Sequence, residues 1–259
     1  MAHSPAQHAD LPTIETQERG APREGQPQLL DRRLFMQLLV FRIPPGSSPS
    51  AQQRALAIAV AEADIPSVIY ADVNDPRSVG LLTFSEDPKL FVEGVRALFD
   101  RESLRDWSVR PELTMLGRSY SSGYEDDLEF WLIERPKQTV LNEQWNWAVW
   151  YPLRRSGAFE KLEGRDKGAI LREHATIGRA YGAKNLAHDV RLACHGLDAN
   201  DNEFVIGLIG ADLHPLSHVV QTMRGTKQTS EYIQQMGPFF VGHAVARYAG
   251  KETSSDGGQ

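Results

Sequence analysis

The feature that most constrains the fold of this chain is an order of strand-like and helix-like segments that occurs twice. Each occurrence reads βαββαβ, judged from runs with strand or helix periodicity and from the proline, glycine and serine residues between them. Two ferredoxin-like blocks of this kind can pair their sheets and carry their helices outside. We therefore predict an α+β fold in which two ferredoxin-like halves form a dimeric α/β barrel. The alternative is an accidental repetition, because alternating elements of this length are common.

These blocks divide the chain into five parts. Residues 1–30 are polar, rich in proline and glutamine, and lack the basic-then-apolar pattern of a secretion signal, so we predict a disordered leader. The N-terminal ferredoxin-like half is predicted at 31–118 and the C-terminal half at 145–249. Between them, residues 119–144 form a polar linking segment, and residues 250–259 are predicted to be a disordered tail.

Charge and cysteine content exclude several classes of function. The formal net charge is −6 and no cluster of Lys and Arg stands apart from compensating acids, so we expect no nucleic-acid partner. The single cysteine, Cys194, excludes an internal disulfide and a CxxC metal site, which fits a reducing, cytoplasmic compartment. No stretch of the sequence is long and apolar enough to predict a membrane span.

A histidine lies on the apolar face of a predicted helix in the second block. Ile170, His174, Ile177 and Tyr181 recur at helical spacing, and small residues such as Ala175 and Gly178 lie beside the imidazole. This pattern suits a proximal haem ligand, because a flat macrocycle needs an imidazole without bulky neighbours. A core histidine satisfied by a hydrogen bond would give the same pattern.

Several motifs over residues 113–247 favour the haem ligand over the core histidine. In chain order they are 119-SYSSGYEDDLEFWL-132, 150-WYPLRR-155, 174-HATIGRAYGAK-184, 196-GLD-198, 223-MR-224 and 237-GPFFVG-242. In order and spacing they resemble the superfamily of chlorite dismutases and coproheme decarboxylases. The resemblance implies one haem in the C-terminal half, iron ligation by His174, and assembly into a homo-oligomer, typically a pentamer.

The same resemblance implies roles for residues around the WYPLRR motif. Tyr151 corresponds to the tyrosine of coproheme decarboxylases whose radical takes hydrogen from a propionate. Arg155 occupies the place of a lysine that pairs with a propionate, and Arg135 resembles a second propionate-binding arginine. Leu153, where the family has methionine, is expected to line the cofactor. Without the resemblance, Tyr151 would be interpreted as an aromatic strand residue and Arg135 as a solvated surface residue.

The group opposite the iron would decide the activity, because it orients the oxidant and stabilises developing charge. Counting back from 196-GLD-198 places Asp189 there as an acid–base group. His188 lies on the other face of a strand, and Arg191 shares the face of Asp189. The residue that would accept a hydrogen bond from His174 stays unassigned, since Lys227 and Gln228 occupy its expected place and Glu231 is the nearest acid.

The sequence thus predicts a haem-dependent oxidoreductase that uses peroxide to convert coproheme propionates to vinyl groups. The cofactor would be coproheme or haem b, with iron. A haem b peroxidase or chlorite dismutase-like enzyme is the first alternative, and a non-catalytic haem-binding protein is the second. A cofactor-free assembly subunit is the least favoured. His214 and His218 have metal-ligand spacing but lack a third ligand nearby.

Overall fold

The structure, a computed structural model, describes residues 11–251. It begins with a hairpin of β1 (Glu18–Arg23) and β2 (Gln26–Leu30). The N-terminal half comprises β3 (Phe35–Arg42), α1 (Pro49–Glu62), β4 (Ser67–Asp72), β5 (Ser78–Ser85), α2 (Lys89–Val92), α3 (Gly94–Leu98), β6 (Ser108–Val109) and β7 (Met115–Arg118). After it come a π-helical turn at Phe130–Glu134 and α4 (Arg135–Leu141).

The C-terminal half carries the longest helix of the described chain, α6. This half comprises β8 (Trp147–Arg155), α5 (Gly157–Glu160), α6 (Gly164–Ala183), β9 (His188–Ala193), β10 (Phe204–Gly210), α7 (Leu213–Arg224), a π-helical turn at Gln228–Tyr232, β11 (Ile233–Met236) and β12 (Phe240–Tyr248).

The hairpin at the start corrects one prediction. Residues 18–30 belong to the predicted disordered leader, yet they form two paired strands joined at Glu24 and Gly25, whose φ angles of 52° and 78° suit a tight hairpin turn. Gln28 donates to the carbonyl oxygens of Ala21 (2.6 Å) and Glu125 (3.0 Å), which ties the hairpin to the linking segment. Backbone and amide hydrogen bonds therefore order a segment that is too polar to show a hydrophobic pattern. Residues 1–10 and most of the predicted tail, 252–259, lie outside the described residues.

The main sheet closes into a barrel. Each half orders its strands second, third, first, fourth, giving β4-β5-β3-β7 and β9-β10-β8-β12 with antiparallel pairing throughout. The two edges meet where β12 pairs with β4 and where Arg118 of β7 pairs with Ala193 of β9. The predicted fold class, α+β with two ferredoxin-like halves in one barrel, is confirmed.

Alternation along the strands separates two apolar layers in the C-terminal half. Val190 and Leu192 of β9 and Trp150 of β8 point into the barrel with the interior core. Val149, Tyr151 and Leu153 point outward and pack with residues of α7, Leu216 and Val219. The outer face of the C-terminal sheet is therefore the surface on which the helices of this half pack.

Helix α6 covers this surface only in part. It has 20 residues, but Ile170 is its only buried one; His174, Ile177 and Tyr181 are partly buried on the predicted face. A side-chain carbon added at Gly178 would contact only the terminal methyl of Met223, at 3.8 Å. The helix therefore buries little of its own surface against the sheet. The space between its His174 face and the outer face of the sheet is called the recess below. Within residues 11–251 the chain offers no helix that combines the length and the apolar character needed to span a bilayer.

Candidate functional site

The outward side chains of the C-terminal sheet form rows across three strands. Ile206 of β10 pairs with Tyr151 of β8 on one side and with Arg191 of β9 on the other. In the next row, Leu208 lies between Val149 and Asp189. Because neighbouring strands lie about 4.8 Å apart, each row spans about 10 Å. Tyr151, Arg191 and Asp189 are therefore brought together on one face by the register of the sheet.

His174 faces this surface from α6. Its Nδ1 atom is buried and has no hydrogen-bond partner among the described residues, and Nε2 makes no hydrogen bond to them either. Burial lowers the pKa of His174, and the positive charge of Arg191 lowers it further, while Asp189 acts in the opposite sense. The imidazole is therefore neutral at pH 7 and carries an uncommitted nitrogen, which is the state that can bind a metal ion.

Asp189 and Arg191 form an ion pair on the sheet. The Oδ2 atom of Asp189 lies 3.0 Å from Nε of Arg191, and the two side chains are 38% and 43% exposed. Burial acts to raise the pKa of Asp189, but the charges of Arg191 and Arg135 outweigh it, so the pKa lies below its usual value. Asp189 is consequently ionised at neutral pH and engaged by two cations.

Arg135 binds the other side of Asp189. It donates from Nη2 to Oδ1 at 2.7 Å and from Nη1 to the main-chain oxygen of the same residue at 2.8 Å. Its guanidinium also lies over the ring of Trp131, 4.6 Å from the centroid. Arg135, which the resemblance assigns to a propionate, thus directs these donors at Asp189 of β9.

Arg155, the other arginine assigned to a propionate, is also paired with acids. Its Nε lies 3.1 Å from Oε2 of Glu203 and its Nη2 lies 3.2 Å from Oε1 of Glu160. The guanidinium stands over the rings of Phe159 and Phe204, at 4.4 and 4.7 Å. Holding a propionate with Arg155 would therefore require an exchange of carboxylate partners.

Tyr151 is buried on the outer face, beside the equally buried Leu153. Its ring stacks on Phe239 with centroids 4.6 Å apart and an interplanar angle of 25°. Burial raises the pKa of the phenol, and the negative charge of Asp189 raises it further, whereas Arg224 opposes the change. The phenol therefore keeps its O–H bond at neutral pH.

Two groups near Tyr151 and Arg191 were not predicted as site residues. Arg224 of the MR motif is close enough for its charge to act on Tyr151, and it makes no ion pair with the described residues. The ring of Tyr120 packs at a tilt of 48° against that of Phe204, with centroids 5.4 Å apart, and burial raises the pKa of its phenol. Tyr120 belongs to the motif 119-SYSSGYEDDLEFWL-132 and Arg224 to 223-MR-224. Their proximity to the other site residues depends on packing between distant segments, so no local sequence pattern predicted it.

A small polar cavity lies next to Arg191. Its volume is about 20 Å³, which is room for about one water molecule and far less than a porphyrin needs. The linking segment contributes most of its wall. The lining residues are Ser119, Tyr120, Glu125, Trp131, Arg135, Pro136 and Arg191.

A second buried polar atom without a partner lies near the turn that follows α7. Oε1 of Gln228 is buried and accepts no hydrogen bond from the described residues. The neighbouring residue, Lys227, donates its main-chain N–H to Oε2 of Glu173 at 3.1 Å. Because Glu173 directly precedes His174, this turn abuts the part of α6 that carries the imidazole.

The remaining histidine candidates lie elsewhere. His188 stacks on Trp145 with centroids 3.6 Å apart and bonds Asn185 through Nε2, so it is not part of the row that contains Asp189. His218 makes a 2.5 Å hydrogen bond to the hydroxyl of Tyr181, and its ring lies 5.9 Å from that of His214. Within residues 11–251, no three His, Cys, Asp or Glu side chains are grouped as a metal site would require.

A barrel of two ferredoxin-like halves, with a histidine-bearing helix over the outer face of the second sheet, defines the structural class of this chain. The family model described as chlorite dismutase matches residues 79–245, well over half of the chain. The chain belongs to the chlorite dismutase family. No protein of curated function matches it significantly.

Solved structures show the same fold at low identity. A haem-binding protein from Thermus thermophilus has a TM-score of 0.67 at 16% identity, over 85% of this chain and 94% of its own. A mutant chlorite dismutase from Candidatus Nitrospira defluvii has a TM-score of 0.66 at 13% identity, over 82% and 92%. The chlorite dismutase of the same organism in complex with imidazole gives 0.65 at 12% identity, over 82% and 91%.

Proposed function

We propose that this protein binds haem in the recess between α6 and the outer face of the C-terminal sheet, with His174 as the iron ligand. The observation that carries the proposal is the neutral, partly buried imidazole without a hydrogen-bond partner among the described residues, close enough to Arg191 and Asp189 for their charges to act on it. Family membership and the haem-binding protein from Thermus thermophilus support the same cofactor.

The side chains around the recess suit a flat iron porphyrin. The sheet offers a largely apolar surface that includes Val149, Ile206 and Leu208, and Gly178 leaves space on the helix side. A neutral imidazole nitrogen is a suitable donor to iron. His174 would hold the iron, and Leu153 would contribute to the apolar wall.

We propose that the reaction is the peroxide-dependent decarboxylation of coproheme. Bound haem supplies the oxidising chemistry with peroxide. Each propionate, with one hydrogen peroxide and one proton, would give a vinyl group, carbon dioxide and two water molecules. Tyr151 would pass its hydroxyl proton and one electron to the peroxide-oxidised haem, and would then take a hydrogen atom from the propionate side chain. A buried phenol with a raised pKa suits this role, because it retains the O–H hydrogen at neutral pH.

In this proposal arginine side chains bind the negatively charged propionates. Arg155 remains the candidate for a propionate, with Glu203 and Glu160 as the carboxylates that it would exchange. Arg224 is a further candidate, since its charge reaches Tyr151 and it has no acid partner among the described residues. Asp189, predicted from the sequence as an acid–base group, is held ionised by two arginines, so it is better suited to orient Arg191 than to exchange a proton.

Absorption spectra of the protein with haem b and with coproheme, added separately, test the cofactor. We expect a Soret band characteristic of histidine ligation with wild type and its loss with His174→Ala. Peroxide titration of the coproheme complex should then release two carboxyl groups, as measured by mass spectrometry, and Tyr151→Phe should stop this. An unchanged spectrum in His174→Ala would refute the ligand, and undiminished turnover in Tyr151→Phe would refute the role of the phenol.

A second candidate, a haem b peroxidase or chlorite-converting enzyme, is favoured by one observation. The terminal nitrogens of Arg191 donate no hydrogen bond to the described residues, and a guanidinium with such nitrogens beside the recess can bind an anionic oxidant and stabilise charge as its bond breaks. Oxygen release from chlorite by the haem b complex would support this candidate. Tight haem binding without any reaction with peroxide or chlorite would instead support a non-catalytic haem-binding protein.

We also propose that the protein acts in the cytoplasm, since it has a single cysteine, Cys194, and can form no internal disulfide. Cys194 is buried, and burial raises the pKa of its thiol to about 12, so the thiol stays protonated and unreactive.

We further propose that the protein assembles into a homo-oligomer, a pentamer by family resemblance. Sedimentation analysis of the purified protein would measure the number of subunits; a monomer at micromolar concentration would contradict this part of the proposal.

A further inference from the structure

Five side chains form a continuous series of contacts from the linking segment to the recess. Asp126 accepts a hydrogen bond from Trp131 Nε1 at 3.1 Å, and the Trp131 ring lies under the guanidinium of Arg135 at 4.6 Å. Arg135 binds Oδ1 of Asp189 at 2.7 Å, and Oδ2 of the same carboxylate lies 3.0 Å from Nε of Arg191. The series therefore ends at a cation on the sheet face that α6 covers.

The geometry fixes Arg135 in three ways. It donates to both the carboxylate and the main-chain oxygen of Asp189, so its plane is set by two hydrogen bonds to one residue. The aromatic ring of Trp131 covers one side of that plane. The π-helical turn at Phe130–Glu134 immediately precedes Arg135, and its backbone holds the segment that carries Trp131.

Arg191 is held at its inner end by an ion pair. Oδ2 of Asp189 lies 3.0 Å from Nε, and no nitrogen of Arg191 donates a hydrogen bond to an acceptor among the described residues. A flexible arginine on a strand would otherwise sample several rotamers and spread its donors over the recess. With Nε held by the ion pair, the side chain of Arg191 stays beside the small polar cavity that it lines together with Tyr120.

We propose that Arg135 is a positioning residue, which acts through Asp189 to orient the terminal donors of Arg191 toward the recess, where a ligand of the haem iron would bind. The inference rests on the proposed haem site and assigns to Arg135 a role other than propionate binding. Without Arg135 the carboxylate of Asp189 can rotate. Arg191 then loses its fixed orientation, although Arg191 itself has not been substituted.

Fluoride binding to the ferric haem complex tests this arrangement, because iron-bound fluoride accepts hydrogen bonds. We expect Arg191→Met to weaken fluoride binding roughly tenfold, the size of one charge-assisted hydrogen bond. Arg135→Met should weaken it by a similar factor, and the double variant should be no weaker than Arg191→Met alone, since the two residues act in series. Arg42→Met removes a comparable ion pair, with Asp75, in the N-terminal half and should leave the affinity unchanged.

Wild-type fluoride affinity in Arg135→Met, or additive losses in the double variant, would overturn the proposal. Should Arg135→Met fail to fold, Arg135→Lys keeps the charge but cannot make both hydrogen bonds to Asp189, and it should give an intermediate affinity for fluoride. Full wild-type affinity in Arg135→Lys would contradict the role.

A protein that does not bind haem refutes the proposed function, but the positioning of Arg191 by Arg135 can still be tested in it. In that case nuclear magnetic resonance relaxation at Nε of Arg191 should show restricted side-chain motion in wild type and greater motion in Arg135→Met, and equal motion in the two proteins would overturn the proposal.

Discussion

At the level of single residues, the polar atoms around the recess differ in whether they have hydrogen-bond partners. Asp189 is saturated by two arginines, whereas His174 Nδ1 and Gln228 Oε1 are buried without any partner among the described residues. A metal-bound imidazole needs an acceptor for its other N–H group to set its orientation and basicity. The two unpartnered atoms have complementary hydrogen-bonding roles and lie on segments that touch at Glu173 and Lys227.

We therefore predict that Gln228 supports haem binding by His174. Gln228→Ala should weaken haem affinity by about 10–100-fold, the usual effect of losing a residue that orients a metal ligand. Gln221→Ala, at an exposed position of α7, is the matched control and should bind as wild type. Spectrophotometric titration with haem b measures both. Equal affinities of the two variants would show that Gln228 has no such role.

A second residue-scale prediction concerns acid. The pKa of Asp189 is lowered in the folded protein, so its ion pairs stabilise the fold above the ordinary carboxyl pKa of about 3.9 and lose that contribution as the pH falls through the folded-state value. Unfolding midpoints measured from pH 7 to pH 2.5 should therefore fall more steeply for wild type than for Asp189→Asn. Parallel pH profiles of the two proteins would contradict the ionised state assigned to Asp189.

At the level of elements, the N-terminal hairpin secures the linking segment that lines the polar cavity. Gln28 donates to three carbonyl oxygens, those of Ala21, Glu125 and Asp126. Its own side-chain oxygen accepts from the N–H of Leu128 at 3.2 Å. One amide side chain thus joins β2 to the segment that forms most of the cavity wall.

Replacing this amide should loosen the linking segment. We expect Gln28→Ala to lower the free energy of unfolding by about 1–3 kcal/mol, because it removes the partly buried hydrogen bonds that the amide makes to Ala21, Glu125 and Leu128. Gln26→Ala on the same strand removes an exposed side chain and should change the stability little. Urea unfolding followed by tryptophan fluorescence compares the two. A Gln28→Ala protein as stable as Gln26→Ala would show that the hairpin is not coupled to the segment.

At the level of the whole molecule, the barrel closes where two halves far apart in sequence approach at backbone distance. A side-chain carbon added at Gly117 of β7 would lie 2.7 Å from Cβ of Leu192 and 3.2 Å from the main-chain oxygen of Ala193. Glycine permits this approach because it has no Cβ. The junction between β7 and β9 also brings the linking segment beside Arg191.

We predict that Gly117→Ala destabilises the protein by about 1–3 kcal/mol, because the backbones must separate to accept the methyl group. Gly157→Ala, at the start of α5, meets nothing within 4 Å and serves as the control. Chemical unfolding of both variants gives the comparison. Stability of Gly117→Ala equal to that of Gly157→Ala would show that the junction tolerates separation.

The sequence by itself determined the repeated element order, the helix face with His174 and the shared strand face of Asp189 and Arg191. These follow from local periodicity, which the backbone imposes on neighbouring residues. It did not reveal the hairpin at residues 18–30, whose order depends on a hydrogen bond from Gln28 to a carbonyl oxygen 97 positions away. It also did not reveal that Arg135 and Asp189, 54 positions apart, neutralise each other. Only the tertiary structure decides such pairs, because contact between distant segments depends on strand register and helix placement, which local sequence patterns do not encode.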